Sequence, residues 1–191
     1  MDEKLLQELL DREAIRDNLM RYSRAVDRHD AAAMEAVYWP DAYDYHLLFE
    51  GAPAKIVEAS MSFTRGMPTQ HFLGQMLVET TGPGRAFSET YYQAYHNMPG
   101  ASEADDRRDL TLLGRYLDTH EKREGEWRIV RRIIAVDAYH DQPGSQDWAA
   151  GIVAGIRPRG GHKPHDPLYA EHPLIVYGAV GATSRKTGEA I

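Results

Sequence analysis

Four segments with strand character run almost back to back through this chain: QHFLGQMLVETT, RAFSETYYQAYHNM, DLTLLGRYLDTHEKR and EWRIVRRIIAVDAYH. GPG at 82–84 and EGE at 124–126 separate neighbouring pairs by turns too short for a crossover, so the pairs must be antiparallel hairpins. Between the middle two, PGASEADDRR is acidic and carries Gly and Pro, the composition of a longer loop. Ahead of the strands the period changes. Ile15, Leu19, Tyr22 and Val26 recur at helical spacing while Arg12, Arg16, Asp17, Arg21 and Arg28 are left for solvent. A second helix is predicted over AAAMEAVY, with Asp30 as N-cap and Pro40 as stop. DAYDYHLLFEG is predicted as one strand ended by Gly51, and APAKIVEASMSFTRGMP as a third helix with Ile56, Ser60 and Phe63 on one face. Three helices followed mainly by antiparallel strands imply an α+β layer fold, helices packed on one face of a curved sheet.

With 191 residues, 42% of them hydrophobic, the chain is long enough for one cored domain. A net charge of −7 argues against nucleic acid or an anionic membrane as partner. No apolar run approaches the roughly 20 residues that span a bilayer. The acidic, amphipathic start MDEKLLQELLDREAIRD is unlike a secretory signal, which favours a cytoplasmic protein. The absence of cysteine removes disulfides, thiolate nucleophiles and thiolate metal sites together. Past residue 141 Gly and Pro become frequent and periodicity fades, so residues 1–141 form the expected domain. Residues 142–191 are an extension expected to drape over it or over a neighbouring subunit, with a short helix in DWAAGIVAGI.

Two residues stand out chemically. Asp27 ends the first helix, where the dipole disfavours a carboxylate by a few tenths to ~1 kcal/mol, so a partner is expected. Either Arg24 or Arg28 holds it in a surface ion pair, or His71, heading a strand just after the RGMP loop, receives it. In the second case the carboxylate orients the imidazole through one nitrogen and leaves the other free as a base. His96 shares a strand face with Tyr92 and Ala94, and is either directed into a pocket or tied up in a structural hydrogen bond. Arg115 lies between Leu113 and Leu117 on its face, either paired across the sheet or reserved for a polar substrate group. Eleven tyrosines against four phenylalanines suit a pocket for a flat, oxygenated molecule, although strands favour tyrosine in any case. His162, His165 and Asp166 share a Gly/Pro loop but lack a third histidine or thiolate in range, so no metal site is expected there. No phosphate loop, nucleophile elbow or dinucleotide fingerprint occurs, and no cofactor is expected.

The order REAIRDNLMRYSRAVDRHD, WPDAYDY, TQHFLGQ, a strand ending AYH, then GEWRI resembles the SnoaL-like branch of the nuclear transport factor 2-like superfamily over roughly residues 8–140. The resemblance implies a cone-shaped curved antiparallel sheet closed by three N-terminal helices around a deep pocket. Members include scytalone dehydratase, bile-acid dehydratase, a hexachlorocyclohexane dehydrochlorinase and polyketide cyclases; lignin-related diarylpropane diol lyases look similar. By resemblance, Asp27 and His71 take the acid/base positions, Tyr22 and Tyr45 those of pocket hydroxyls, and His96 that of a second active-site histidine. His46 competes with Tyr45 for its slot and joins Tyr92, Arg115 and Tyr116 as a candidate for substrate binding. The dehydrochlorinase uses a late arginine, which AVDAYHD does not supply. The expected activity is a cofactor-independent lyase that eliminates water, with or without formaldehyde, from a hydroxylated aromatic or polycyclic small molecule. The alternatives are an isomerase or cyclase of the same fold, or a binding module. A homo-oligomer, dimer or trimer, is expected to cover an apolar outer sheet face supplied by Leu110, Leu112, Ile129 and Ile133.

Overall fold

The computed structural model describes residues 2–100 and 106–171. The acidic loop of 101–105 and the end of the chain lie outside them. Helix α1 (Glu3–Asp27) starts at Asp2, whose side chain accepts from the Lys4 N–H, and buries Ile15, Leu19, Tyr22 and Val26 along one stripe. Each such side chain contributes ~1.5–3 kcal/mol of burial. Asp30 caps α2 (Ala31–Ala36) by accepting from the Ala33 N–H. The helix stops before Pro40, because the chain is already extended at Tyr38. Here the predicted single strand is a hairpin: β1 (Tyr38–His46) turns through Leu47, with φ of 55°, and Leu48 into β2 (Phe49–Gly51). Helix α3 (Pro53–Phe63) buries Ile56 and Ser60 but leaves Phe63 half exposed at the rim of the cavity described below.

The four predicted strands are β3 (Thr69–Gly82), β4 (Arg85–Met98), β5 (Arg108–Arg123) and β6 (Glu126–Pro143). The β5–β6 turn needs positive φ at both central residues, Glu124 at 52° and Gly125 at 87°, which matches the right-handed twist of the strands it joins. The sheet order is β2-β1-β6-β5-β4-β3. Every pairing is antiparallel except β1 with β6, which is parallel. The sheet is curved and unclosed, with α1 packed across β3 and β6, and with α3 against β1 and β2. The chain is therefore an α+β fold whose sheet wraps a pocket.

Three bulges set what faces inward. β3 carries an extra residue between Leu73 and Met76, and β6 carries one between Ile129 and Arg131 and another between Val136 and Ala138. Each reverses the side-chain phase of its strand. At the last of these the Ala135 carbonyl crowds β5 so closely that a Cβ on Gly114 would lie 2.0 Å from it, so only glycine fits. Leu110 and Leu112, expected on the outer face, line the interior cavity instead, and Ile129 is fully buried in the core. Their phase follows Tyr116 and Asp118, which the sheet curls inward.

Beyond β6, DWAAGIVAGI holds one 3-10 turn at Gly151–Gly155, followed by a short helix α4 (Pro167–Glu171). This segment returns to the end of α1. The Lys163 N–H donates to the Arg28 carbonyl, Arg28 donates to Asp166 at 2.8 Å, and Lys163 Nζ and Tyr169 both donate to Asp30. His162 stacks on His29 with ring centroids 4.7 Å apart. Asp166 thus belongs to an ion pair with Arg28, and among the described residues no three His, Cys, Asp or Glu side chains gather as a metal site.

Candidate active site

Asp27 is the last residue of α1, and β3 passes beside it. Its Oδ1 accepts from His71 Nδ1 at 2.7 Å and from the Thr69 hydroxyl at 2.9 Å, while Oδ2 accepts the His71 backbone N–H at 2.8 Å. The backbone bond fixes β3 to the carboxylate, and the side-chain bond then fixes the ring. Both side chains are more than nine-tenths buried. Burial pushes the Asp27 carboxyl up, but hydrogen bonding and charge from His71, with help from Thr69, hold it below the ordinary carboxylate range. A carboxylate here accepts the proton on Nδ1 of His71, which leaves Nε2 with a free lone pair. Of the two sequence alternatives for Asp27, the geometry selects the histidine. Arg28 turns away to Asp166.

His71 lines a cavity of about 470 Å³ that the sheet and helices enclose. Tyr22, His46, Tyr92, His96 and Tyr116 line it too, and the rest of the wall is mostly apolar, including Phe49, Leu110, Leu112 and Ile134. The tyrosines form an aromatic floor: Tyr92 stacks on Tyr116 at 4.4 Å, and Tyr116 meets Tyr22 edge-on at 5.7 Å. Burial raises all three phenols, Tyr92 to about 12, so they are neutral donors at neutral pH. His96 faces the cavity with its ring 5.5 Å from that of His71. Burial first, and then the neighbouring His71, lower its pKa to about 4. It is therefore an uncharged imidazole at neutral pH. The Tyr92 hydroxyl and His96 Nδ1 have no hydrogen-bond partner among the described residues.

Two sequence candidates fall outside the cavity. Tyr45 points to the outer face, 39% exposed, against Tyr43 and under Arg131. Its neighbour His46 takes the inward position, since adjacent strand residues face opposite ways. Arg115 is also outward. It is chelated by Asp137 at 3.0 Å through two nitrogens and by Glu89 at 2.9 Å, so it ties β4, β5 and β6 together and is committed away from any ligand.

Beneath the floor lies a group that sequence reasoning missed. Arg132 is fully buried and bidentate to an equally buried Asp118 at 2.7 and 2.8 Å. Its guanidinium sits 4.0 Å from the Tyr22 ring centroid and 4.4 Å from that of Tyr116. It also donates to the Tyr38 hydroxyl at 3.3 Å, and Tyr38 donates to Asp44 at 2.7 Å. RIVRRII alternates imperfectly, and only the bulge at Val130 turns Arg132 inward. The signal was the adjacent pair Arg131–Arg132, since neighbouring strand residues face opposite ways and one of the two must turn inward.

A curved sheet with its pocket and an inward Asp–His pair is the architecture of a SnoaL-like protein. The SnoaL-like domain model matches residues 7–133, two-thirds of the chain, which therefore belongs to that family. No curated protein matches the chain in sequence. Among solved structures, it is similar to a type 2 hexachlorocyclohexane dehydrochlorinase (LinA), with a TM-score of 0.67 and 17% identity, over 79% of this chain and 99% of that one. A putative scytalone dehydratase from Novosphingobium aromaticivorans gives 0.59 and 23%, over 72% and 91%. A type 3 dehydrochlorinase from Novosphingobium barchaimii gives 0.65 and 14%, over 74% and 97%. At these identities the likeness is one of fold. Among the described residues no helix is long and apolar enough to cross a membrane.

Proposed function

We propose that the protein is a lyase that eliminates water from a hydroxylated aromatic or polycyclic small molecule, with His71 as base and Asp27 as the group that orients it. The observation that carries this reading is the bare Nε2 implied for His71 by its 2.7 Å bond to Asp27, at the wall of a mostly apolar cavity. His71 Nε2 takes a proton from the carbon next to the one bearing the hydroxyl. The C–H electron pair becomes the new double bond, the C–O bond breaks, and the oxygen leaves as water once protonated. A dry wall favours the reaction because it leaves the base poorly solvated and keeps the nascent charge near fixed donors.

The aromatic floor and a volume of about 470 Å³ suit one or two fused or linked rings. Tyr92 and His96 add neutral polar side chains to the cavity lining. A lignin-derived diarylpropane diol is one such substrate. There, loss of the benzylic hydroxyl gives a quinone methide, and removal of the remaining hydroxyl proton then splits the C–C bond. Formaldehyde leaves, and the electron pair restores the aromatic ring. Family membership and neighbours described as dehydrochlorinase and putative scytalone dehydratase support an elimination.

The test is incubation with a panel of hydroxylated aromatics, diarylpropane diols included, followed by mass analysis. Loss of water, or of water and formaldehyde, is the expected result. An isomerase or cyclase that returned its proton would give a product of unchanged mass, and a binding module would give none; either outcome overturns the reading.

A further inference from the structure

The base side of the cavity is described above, but an elimination from an alcohol also needs a proton for the departing oxygen, since hydroxide leaves poorly. His96 does not fit that role. Its ring lies 5.5 Å from the base itself, and burial keeps it uncharged.

The same cavity is lined by the imidazole of a second carboxylate–imidazole pair. In the sheet order, β1 and β3 are separated by β6, β5 and β4, a path of roughly 19 Å across a flat sheet at ~4.8 Å per strand. Curvature folds that path, so His46 from β1 and His71 from β3 line one cavity. His46 is held by Asp44, two residues earlier on the same face, with Nδ1 3.3 Å from Oδ2. Its ring is stacked on Phe49 across the β1–β2 hairpin at 5.0 Å, which fixes its plane. Asp44 is fully buried. Tyr38 donates to its Oδ2 from behind at 2.7 Å, and its Oδ1 has no hydrogen-bond partner among the described residues. A buried carboxylate so thinly satisfied has few other donors, so its bond to the His46 ring fixes that imidazole's orientation.

We infer that His46, oriented by Asp44, is the acid that protonates the departing hydroxyl. The inference rests on the elimination proposed above. In one turnover His71 Nε2 gains the carbon proton and His46 Nε2 gives its proton to the oxygen of the breaking C–O bond, so water leaves and the charges balance. Exchange of both protons with solvent restores the starting state. Asp44 acts through His46 as a positioning residue.

The experiment compares an aryl β-hydroxyketone with its β-acetoxy counterpart, because acetate leaves without a full proton and hydroxide does not. His46→Gln is expected to slow elimination of water about 100-fold and that of acetate less than about 3-fold. Equal slowing of both substrates, or slowing of neither, overturns the inference. His71→Ala is expected to slow both; if it slows neither, the base assignment fails, and the His46 split still stands or falls by itself. A second measurement needs no turnover. Imidazole nitrogen NMR of the wild type, assigned by the resonances lost in His46→Gln, is expected to show His46 protonated at both nitrogens, at Nδ1 towards Asp44 and at Nε2; a bare Nε2 overturns its role as acid. A bare Nδ1 there overturns the assignment.

Discussion

At the scale of single residues, three bonds to one carboxylate do the organising. Asp27 holds Thr69, the backbone of His71 and the ring of His71, so β3 and the imidazole are placed together. Asp27→Asn conserves shape but removes the charge and one of the two acceptor oxygens, so the His71 ring and its backbone N–H can no longer both donate to this side chain. It is expected to lower kcat about 10²–10⁴-fold, with a far-ultraviolet spectrum like the wild type's. Two other histidines govern acid stability. Burial lowers His96 and His120 to about 4, below the ordinary value of 6.5. The unfolded chain therefore takes up protons first as pH falls. The stability these groups contribute is whole above pH 6.5, lost between 6.5 and 4, and constant below. Each contributes a slope of on the order of 1 kcal/mol per pH unit within that window. Urea unfolding at pH 7 and pH 5 checks this, and His96→Gln should flatten part of the slope.

Side chains were legible in the sequence where a period or a neighbour's chemistry placed them. Ile15, Leu19, Tyr22 and Val26 repeat as a helix face does, and all four are buried. The helix C-terminus showed that Asp27 needs a partner, but chemistry alone left Arg24, Arg28 and His71 open, and the family resemblance pointed to His71. Tyr45 was assigned inward and His46 was its competitor. One residue of strand phase separates them, and composition carries no information on phase.

Elements fix phase through their irregularities. The bulge at Val130 turns Arg132 into the core and Arg131 out of it, and the bulge at Asp137 leaves that carboxylate on the outer face to chelate Arg115. Neither bulge carries a glycine or proline of its own, which is why Arg132 escaped notice. Asp118→Ala would strand a fully buried guanidinium beneath the tyrosine floor. A loss of about 3–5 kcal/mol in urea unfolding is expected, whereas Asp137→Ala, which breaks an exposed pair, should leave the unfolding midpoint close to the wild type's. Gly114→Ala forces a Cβ into the Ala135 carbonyl and should separate β5 from β6 locally, read as faster amide exchange along both strands.

Across the whole molecule, the sheet brings its two edges to one cavity, and the segment after β6 returns to the end of α1. Asp30 joins these levels: buried, it caps α2 and receives both Lys163 and Tyr169. Asp30→Ala is expected to lower stability by about 1–2 kcal/mol through the cap and to speed proteolysis within residues 144–171. Composition marked this segment as an extension but left open whether it packs on its own domain or on a neighbouring subunit, since its contacts are single polar bonds without a period. Everything functional rests on His71 acting as a base inside the cavity. The most direct test is the rate of water release from a substrate the wild type turns over, measured beside His71→Ala with its unfolding midpoint as control. A fall of at least about 100-fold at an unchanged midpoint is predicted, and undiminished turnover by the variant would contradict the account.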